Sequence, residues 1–352
     1  MTGTRAVRGA AARATTERVS DASGPWRPAP GPVVCLGETM AALAPDPPAP
    51  LLNAADLRLS VAGAESNVAM YLADHGIPVA WLSALGTDPL GQRVRATVAA
   101  AGVDVAHVRT DPGRPTGLLV KDPGPAGTRV HYYRRGSAAS ALGPEALDRP
   151  PLRTASLLHL TGITPALSES CRELVTRALT AEPGTRPYAV SFDVNHRAAL
   201  WPDGSAPTVL RALADRADIV FVGLDEAQAL WGEELTPQGV RAQLPRPRIL
   251  VVKDGANAAT AFDTDGMHSV PTPRTKVVEA VGAGDAFAAG FLAGLLRGKT
   301  MTDALRLGHI TAASALQVTG DHGPLPDPRE TEALLALSAR EWSERAAVSS
   351  RS

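Results

Sequence analysis

The sequence predicts an α/β fold with a central, mostly parallel sheet flanked by helices. Three observations carry this expectation. After Pro150, four short apolar runs (SLLHLTG, YAVSFDVN, DIVFVG and RILVVKDG) alternate with helix-like stretches, the pattern of βαβ units. Polar residues gather where apolar runs stop, at Gly37-Glu38, Asp193 to Arg197, Glu226 and Asp254-Gly255. In open parallel sheets, ligands sit beyond the carboxyl ends of the strands. Finally, the run AFAAGFLAGLL follows Gly-Ala-Gly-Asp at 282–285. Glycine weakens a helix, so two of them at a helix start suggest that the bare backbone is needed there.

Taken in order, PVVCLGETM reads as a buried strand ending at Gly37. LRLSVAGAESNVAMYLADHG is a strand, a glycine turn and a helix closing at Gly76. VAWLSALG is a strand, and GQRVRATVAAAG a helix closing at Gly102. TGLLVKD and TRVHYYRRG alternate like the two strands of a hairpin. DALRLGHITAASALQVTG is a late helix, and residues 329–352 read as a helical tail with a polar end. Residues 1–30, rich in Ala, Arg, Thr, Ser and Pro, carry no apolar stretch long enough for a signal peptide and read as a disordered extension.

Composition excludes several classes. A formal net charge of −1 over 352 residues offers no basic footprint for nucleic acid. Two cysteines, Cys35 and Cys171, make a disulfide framework or a zinc site an unpromising reading. No apolar run reaches the roughly 18 residues of a membrane span. A soluble, cytoplasmic protein is the expectation.

Each polar cluster has a functional and a plain reading. In AGAESNVA (62–69), Gly63 makes a close-approach turn and Asn67 can offer both a donor and an acceptor to a polar ligand. Equally, Ser66 or Asn67 can simply start the helix. In VHYYRRG, Tyr132 and Arg134 share one strand face, and Tyr133 and Arg135 the other. Such a face suits an anionic, hydroxylated ligand, because Arg holds carboxylates with paired hydrogen bonds. A solvated edge strand explains it as well. FDVNHR places Asp193, Asn195 and Arg197 after a buried strand, for ligand contact or for an Asx turn. Glu226 near a helix start favours the dipole or orients water around a magnesium ion. VVKDGANAA puts Lys253 and Gly255 at a strand end, in a plain turn or a nucleotide-binding one. The GAGD stretch fits neither GxGxxG nor GxxxxGK[ST].

The order of these clusters, with the Gly-rich Asn turn early and VGAGDAFAAGF late, resembles the ribokinase-like (PfkB) carbohydrate kinase family from about Val33 to about Pro328. Within it, YYRRGSAAS, LTGITPAL and FDVNHRAALW look most like 2-keto-3-deoxygluconate kinases. The resemblance implies a kinase domain over 31–328 with a small β lid from strands near 51–61 and 115–135. It implies ATP and Mg²⁺ as cofactors and a sugar-acid substrate. An exposed lid sheet has free edges that a second subunit would cover, so a homodimer through the lid is the expectation. Carried over by position, Asp285 is the catalytic base, and Gly282, Ala283 and Gly284 form the anion hole with it. Gly63, Asn67, Tyr132, Arg134 and Arg197 bind the sugar acid. Lys253, Gly255, Gly282 and Gly284 bind nucleotide, and Glu226 holds Mg²⁺ through water.

Two departures stand out. The family's D-T-x-G-A-G-D reads Glu279-Ala280-Val281 before Gly282, and its N-x-x-E reads Gly223-Leu224-Asp225-Glu226. The alternatives are a kinase of a neutral sugar or nucleoside, and a catalytically silent sugar- or nucleotide-binding regulator.

Overall fold

The structure, a computed structural model, describes residues 26–125, 127–180 and 186–347; most of the 1–30 extension and residues 348–352 lie outside the described residues. An eight-stranded sheet forms the centre. Its strand order is Gly266–Pro271, Ala258–Asp263, Ile249–Asp254, Ile219–Gly223, Ala189–Asp193, Leu157–Thr161, Val33–Leu36 and Val79–Leu82. The six from Ile249–Asp254 to Val79–Leu82 are parallel.

Side chains alternate across this sheet with period two, as strands require. Val33, Cys35, Phe221 and Val251 pack with the helices Ala64–Asp74, Ala283–Leu296 and Met301–Leu316. Val34, Leu36, Phe192, Val220 and Val252 pack with Glu169–Ala178 and Ala206–Ala214 on the other face. The result is a three-layer sandwich with an apolar core on each side of the sheet. The small residues of Ala283–Leu296 have a packing role. A Cβ at Gly290 would fall 2.5 Å from the Leu307 carbonyl, and one at Gly294 2.9 Å from the Ala304 Cα, so only glycine lets Met301–Leu316 approach this closely.

A second sheet of four strands, ordered Leu57–Ala62, Met40–Pro45, Leu118–Gly124 and Gly127–Tyr133, stands apart from the first. Its inner face carries Met40, Ala62, Leu119 and Val130; its outer face exposes Tyr133.

The structure departs from the sequence reading in three places. Leu51–Asn53 is a 3-10 turn, so the lid strand begins only at Leu57, not near 51. Met40–Pro45 is an unforeseen lid strand, hidden in the sequence because MAALAP has no alternation. Ala258–Asp263 and Gly266–Pro271 form an unforeseen antiparallel hairpin that extends the main sheet.

The tail forms the helices Pro328–Leu335 and Ala339–Ala347. Trp342 is buried and donates from Nε1 to the Pro271 carbonyl at 2.9 Å, beneath the Arg306 guanidinium. Leu335 is buried in the same core and its carbonyl accepts from Arg306 at 2.9 Å, so both helices pack on the body of the protein. Among the described residues, no helix is long and apolar enough to cross a membrane.

Candidate active site

The carboxyl ends of the parallel strands and the inner face of the second sheet enclose a cavity of about 1070 Å³. Every residue that the resemblance places in the site lines it: Gly63, Asn67, Tyr132, Arg134, Arg197, Glu226, Lys253, Gly255 and the stretch 282–285; Ser66, Tyr133 and Arg135 do not.

At one end, Gly282 caps the helix Ala283–Leu296 in the left-handed region, at φ +82°. A Cβ there would also fall 2.8 Å from the Asp321 carbonyl, so conformation and space both demand glycine. The turn leaves the N–H groups of Gly284 and Asp285 without intrahelical partners, at residues that line the cavity, while the Ala283 N–H donates to the Ala280 carbonyl at 3.4 Å. Asp285 follows in the first turn and is buried. Its Oδ2 accepts from Asn67 Nδ2 at 2.9 Å, and its Oδ1 from Asn195 Nδ2 at 3.3 Å. Burial pushes its pKa up to about 7, helped by the Asp193 and Asp321 charges and opposed by the Asn67 hydrogen bond and Arg197.

The structure decides several open readings. Ser66 does not start the helix: Gly63 is the N-cap, without a side-chain cap, and the Ser66 hydroxyl, already in the first turn, donates back to the Gly63 carbonyl at 3.0 Å. Asn67 instead reaches across to Asp285, and its Oδ1 is buried without a partner. A Cβ at Gly63 would fall 2.5 Å from Thr39 Oγ1, so the turn is a close approach of backbone in extended geometry. Asn195 fills both readings: its N–H closes an Asx turn on Asp193 Oδ1 at 3.3 Å, while its amide reaches Asp285.

Lys253 Nζ donates to Asp193 Oδ2 at 2.8 Å and lies against Gly284, where a Cβ would be 3.5 Å away. Burial opposes the ammonium's charge, yet the Asp193 and Glu226 carboxylates hold its pKa above the ordinary value. Glu226 accepts from the Gly223 N–H at 2.9 Å and from the His196 N–H at 3.1 Å. Burial raises its pKa. Gly255 follows its strand at φ +45°, where a side chain would meet nothing.

At the lid end, Val130, Tyr132 and Arg134 point inward from alternate positions. Arg134 is buried and held by a partner that the sequence did not reveal. Its Nε lies 2.6 Å and its Nη2 2.5 Å from Glu38 Oε2, and Ser137 donates to Glu38 Oε1 at 2.5 Å. The guanidinium sits 5.5 Å from the Tyr132 ring centroid. Glu65, buried beneath, accepts from Thr161 and Thr164 at 2.8 Å each, and burial raises its carboxyl pKa. Arg197 is half exposed and only loosely paired, 3.6 Å from Glu226.

Sequence reasoning missed Glu38 as a partner, Glu65, Lys121, Glu279 and Asp321. Lys121 and Asp321 line the same cavity. Lys121 Nζ lies 2.5 Å from Glu279 Oε1 and 3.6 Å from Asp321 Oδ1. Glu279 was visible only as a departure from the family pattern; nothing in the sequence marked its partner.

This layout, with a lid sheet over the strand ends and a glycine-capped helix carrying a buried acid, is that of a sugar kinase. Residues 32–328 match the pfkB family carbohydrate kinases, and the chain belongs to that family. It is 35% identical over 309 residues to the 2-dehydro-3-deoxygluconokinase of Thermoproteus tenax, covering 86% of this chain and 94% of that one. It is 34% identical over 311 residues to the 2-dehydro-3-deoxygluconokinase of Bacillus subtilis, covering 86% and 95%. Among solved structures, a PfkB protein from Polaromonas sp. JS666 matches with a TM-score of 0.77 at 36% identity, over 86% of this chain and 100% of that one.

Proposed function

We propose that this protein transfers the γ-phosphoryl group of ATP to the primary hydroxyl of 2-keto-3-deoxygluconate (the 2-dehydro-3-deoxygluconate of its relatives' names), giving the 6-phosphate. The observation that carries the reading is Asp285, a buried carboxylate held by two amides at the glycine-cradled start of a helix. The substrate rests on the names of the two relatives and on the guanidinium groups of Arg134 and Arg197 beside Tyr132.

Phosphoryl transfer depends mainly on positioning and charge stabilisation. The N–H groups of Gly282 to Asp285 hold the oxygens of the transferring group, as an oxyanion hole does. Lys253, beside Gly284, adds positive charge at the same edge, and the Gly255 turn borders the nucleotide. Asp285 takes the proton of the attacking hydroxyl as the oxygen–phosphorus bond forms, and ADP leaves. Asn67 and Asn195 aim its two oxygens. Tyr132, Arg134 and Arg197 hold the sugar acid, with Gly63 opening the floor. Lid closure excludes water that would otherwise accept the phosphoryl group.

Among the described residues, no three acids or histidines gather as a metal site. Mg²⁺ retains several waters and binds largely through substrate phosphates, so it does not call for such a cluster. Glu226 faces the cavity, and each of its oxygens, already accepting one backbone hydrogen bond, can accept another from such a water. When bound, the ion neutralises phosphate charge. The same reading includes a cytoplasmic homodimer that pairs through the lid.

The test is ADP release with MgATP and a panel of 2-keto-3-deoxygluconate, gluconate, fructose, ribose and adenosine. Turnover confined to the keto-deoxy acid is expected. Preference for fructose or ribose would discard the carboxylate site and leave a neutral-sugar kinase.

A further inference from the structure

Lys121 projects from the lid strand Leu118–Gly124 into the cavity and is buried. Its two acidic partners flank the anion cradle. Glu279 stands three residues before Gly282. Asp321 backs directly onto Gly282, and its Oδ2 accepts from Asn67 at 3.3 Å, the same amide that holds Asp285. Two carboxylates are thus stationed beside the N–H groups that receive phosphate. Left alone they would repel a polyanion. Among the described residues, Lys121 is the cation within ion-pair distance of both. Arg134 pairs with Glu38 and Lys253 with Asp193, and the half-exposed Arg197 lies 3.6 Å from Glu226.

Building on the kinase reading above, we propose that Lys121 is a positioning residue that makes the anion cradle receptive to the nucleotide by neutralising Glu279 and Asp321. Because it rides on the lid, it also couples closure over the sugar to acceptance of phosphate. Lifting the lid withdraws the ammonium and restores the repulsion. Seating the sugar holds the ammonium in place and strengthens nucleotide binding, a reciprocal coupling between the two sites.

The experiment is a titration of MgADP, with and without the sugar acid, on wild type, Lys121→Met, Lys121→Arg, Glu279→Gln and Lys121→Met/Glu279→Gln. Lys121→Met should weaken MgADP binding by about tenfold or more, because it leaves buried charge uncompensated. Lys121→Arg should retain most of the affinity. Adding Glu279→Gln to Lys121→Met should recover several-fold of the loss, and Glu279→Gln alone should bind as well as wild type or tighter. The sugar acid should tighten binding by wild type and not by Lys121→Met. A purely mechanical tether predicts the reverse for the acid. Glu279→Gln would then weaken binding, and the double variant would be no better than Lys121→Met; either result overturns the proposal. Glu279→Gln keeps the lysine, so its result stands even if Lys121→Met fails to fold. Binding is measured apart from turnover. A wild type inactive on the keto-deoxy acid therefore fails the kinase reading, while the order of these affinities judges Lys121.

Discussion

Glu38 and Asp285 are both buried carboxylates at the same cavity, and they are held in opposite ways. Glu38 is closed off by Arg134 at 2.5 and 2.6 Å and by the Ser137 hydroxyl. Asp285 meets two amides and, among the described residues, forms no ion pair. A carboxylate with a cation at contact is neutralised and spent on geometry: it fixes where the guanidinium stands. A carboxylate surrounded by amides and other acids retains its appetite for a proton, and burial raises its pKa to about 7. The difference separates the acid that shapes the sugar end from the acid fitted for proton transfer.

The strongest way to break this contrast is Asp285→Asn. The amide fills the same space, its oxygen keeps one of the two hydrogen bonds, and its NH2 can donate to Asn67 Oδ1, which has no partner, if the Asn67 amide turns over, so the fold should survive, but the base is gone. Turnover should fall about 10²- to 10⁴-fold, measured as kcat by ADP release. A variant with near wild-type kcat would remove Asp285 from the chemistry. The wild-type pH profile sharpens the point. Asp285 must be ionised to act, and its pKa is raised, so kcat/KM should fall as pH drops below about 7 and level off above it. That limb reports the free enzyme's essential base.

Much of this site was legible because its motifs are local. The strand-end clusters, the GAGD turn and the period-two face of Tyr132 and Arg134 each lie within a few residues. What was illegible was which charges cancel. Arg134 meets Glu38 across 96 residues, Lys121 meets Glu279 across 158, and Asn67 meets Asp285 across 218. No local pattern encodes those meetings; the sheet order creates them by bringing distant strand ends to one edge. The strand Met40–Pro45 was illegible for another reason. Its small residues lie flat against the lid core and leave no alternation to read.

The second test attacks the neutralised acid. Arg134→Met leaves Glu38 buried without a cation, which should cost stability by about 3–5 kcal/mol. Thermal or urea unfolding measures this. Arg134→Met/Glu38→Gln should recover much of that stability, since no buried charge remains, yet its KM for the sugar acid should stay high. If the double variant regained normal KM, Arg134 would be a structural residue and Tyr132 and Arg197 would have to hold the substrate.

The smallest effect belongs to Arg197, which is half exposed and pairs with Glu226 only at 3.6 Å. Solvent screens such a group, so Arg197→Ala should raise KM for the sugar acid by about tenfold or less and leave kcat near wild type, the signature of uniform binding. With a neutral sugar the same change should have almost no effect on KM. A second consequence follows from its place near the base. The Arg197 charge lowers the Asp285 pKa, so without it the carboxyl retains its proton to higher pH. The acidic limb of kcat/KM should therefore move upward in Arg197→Ala. A limb that stays in place, together with equal KM changes for acidic and neutral sugars, would make Arg197 a solvated rim residue and leave Arg134 as the cation that recognises the carboxylate.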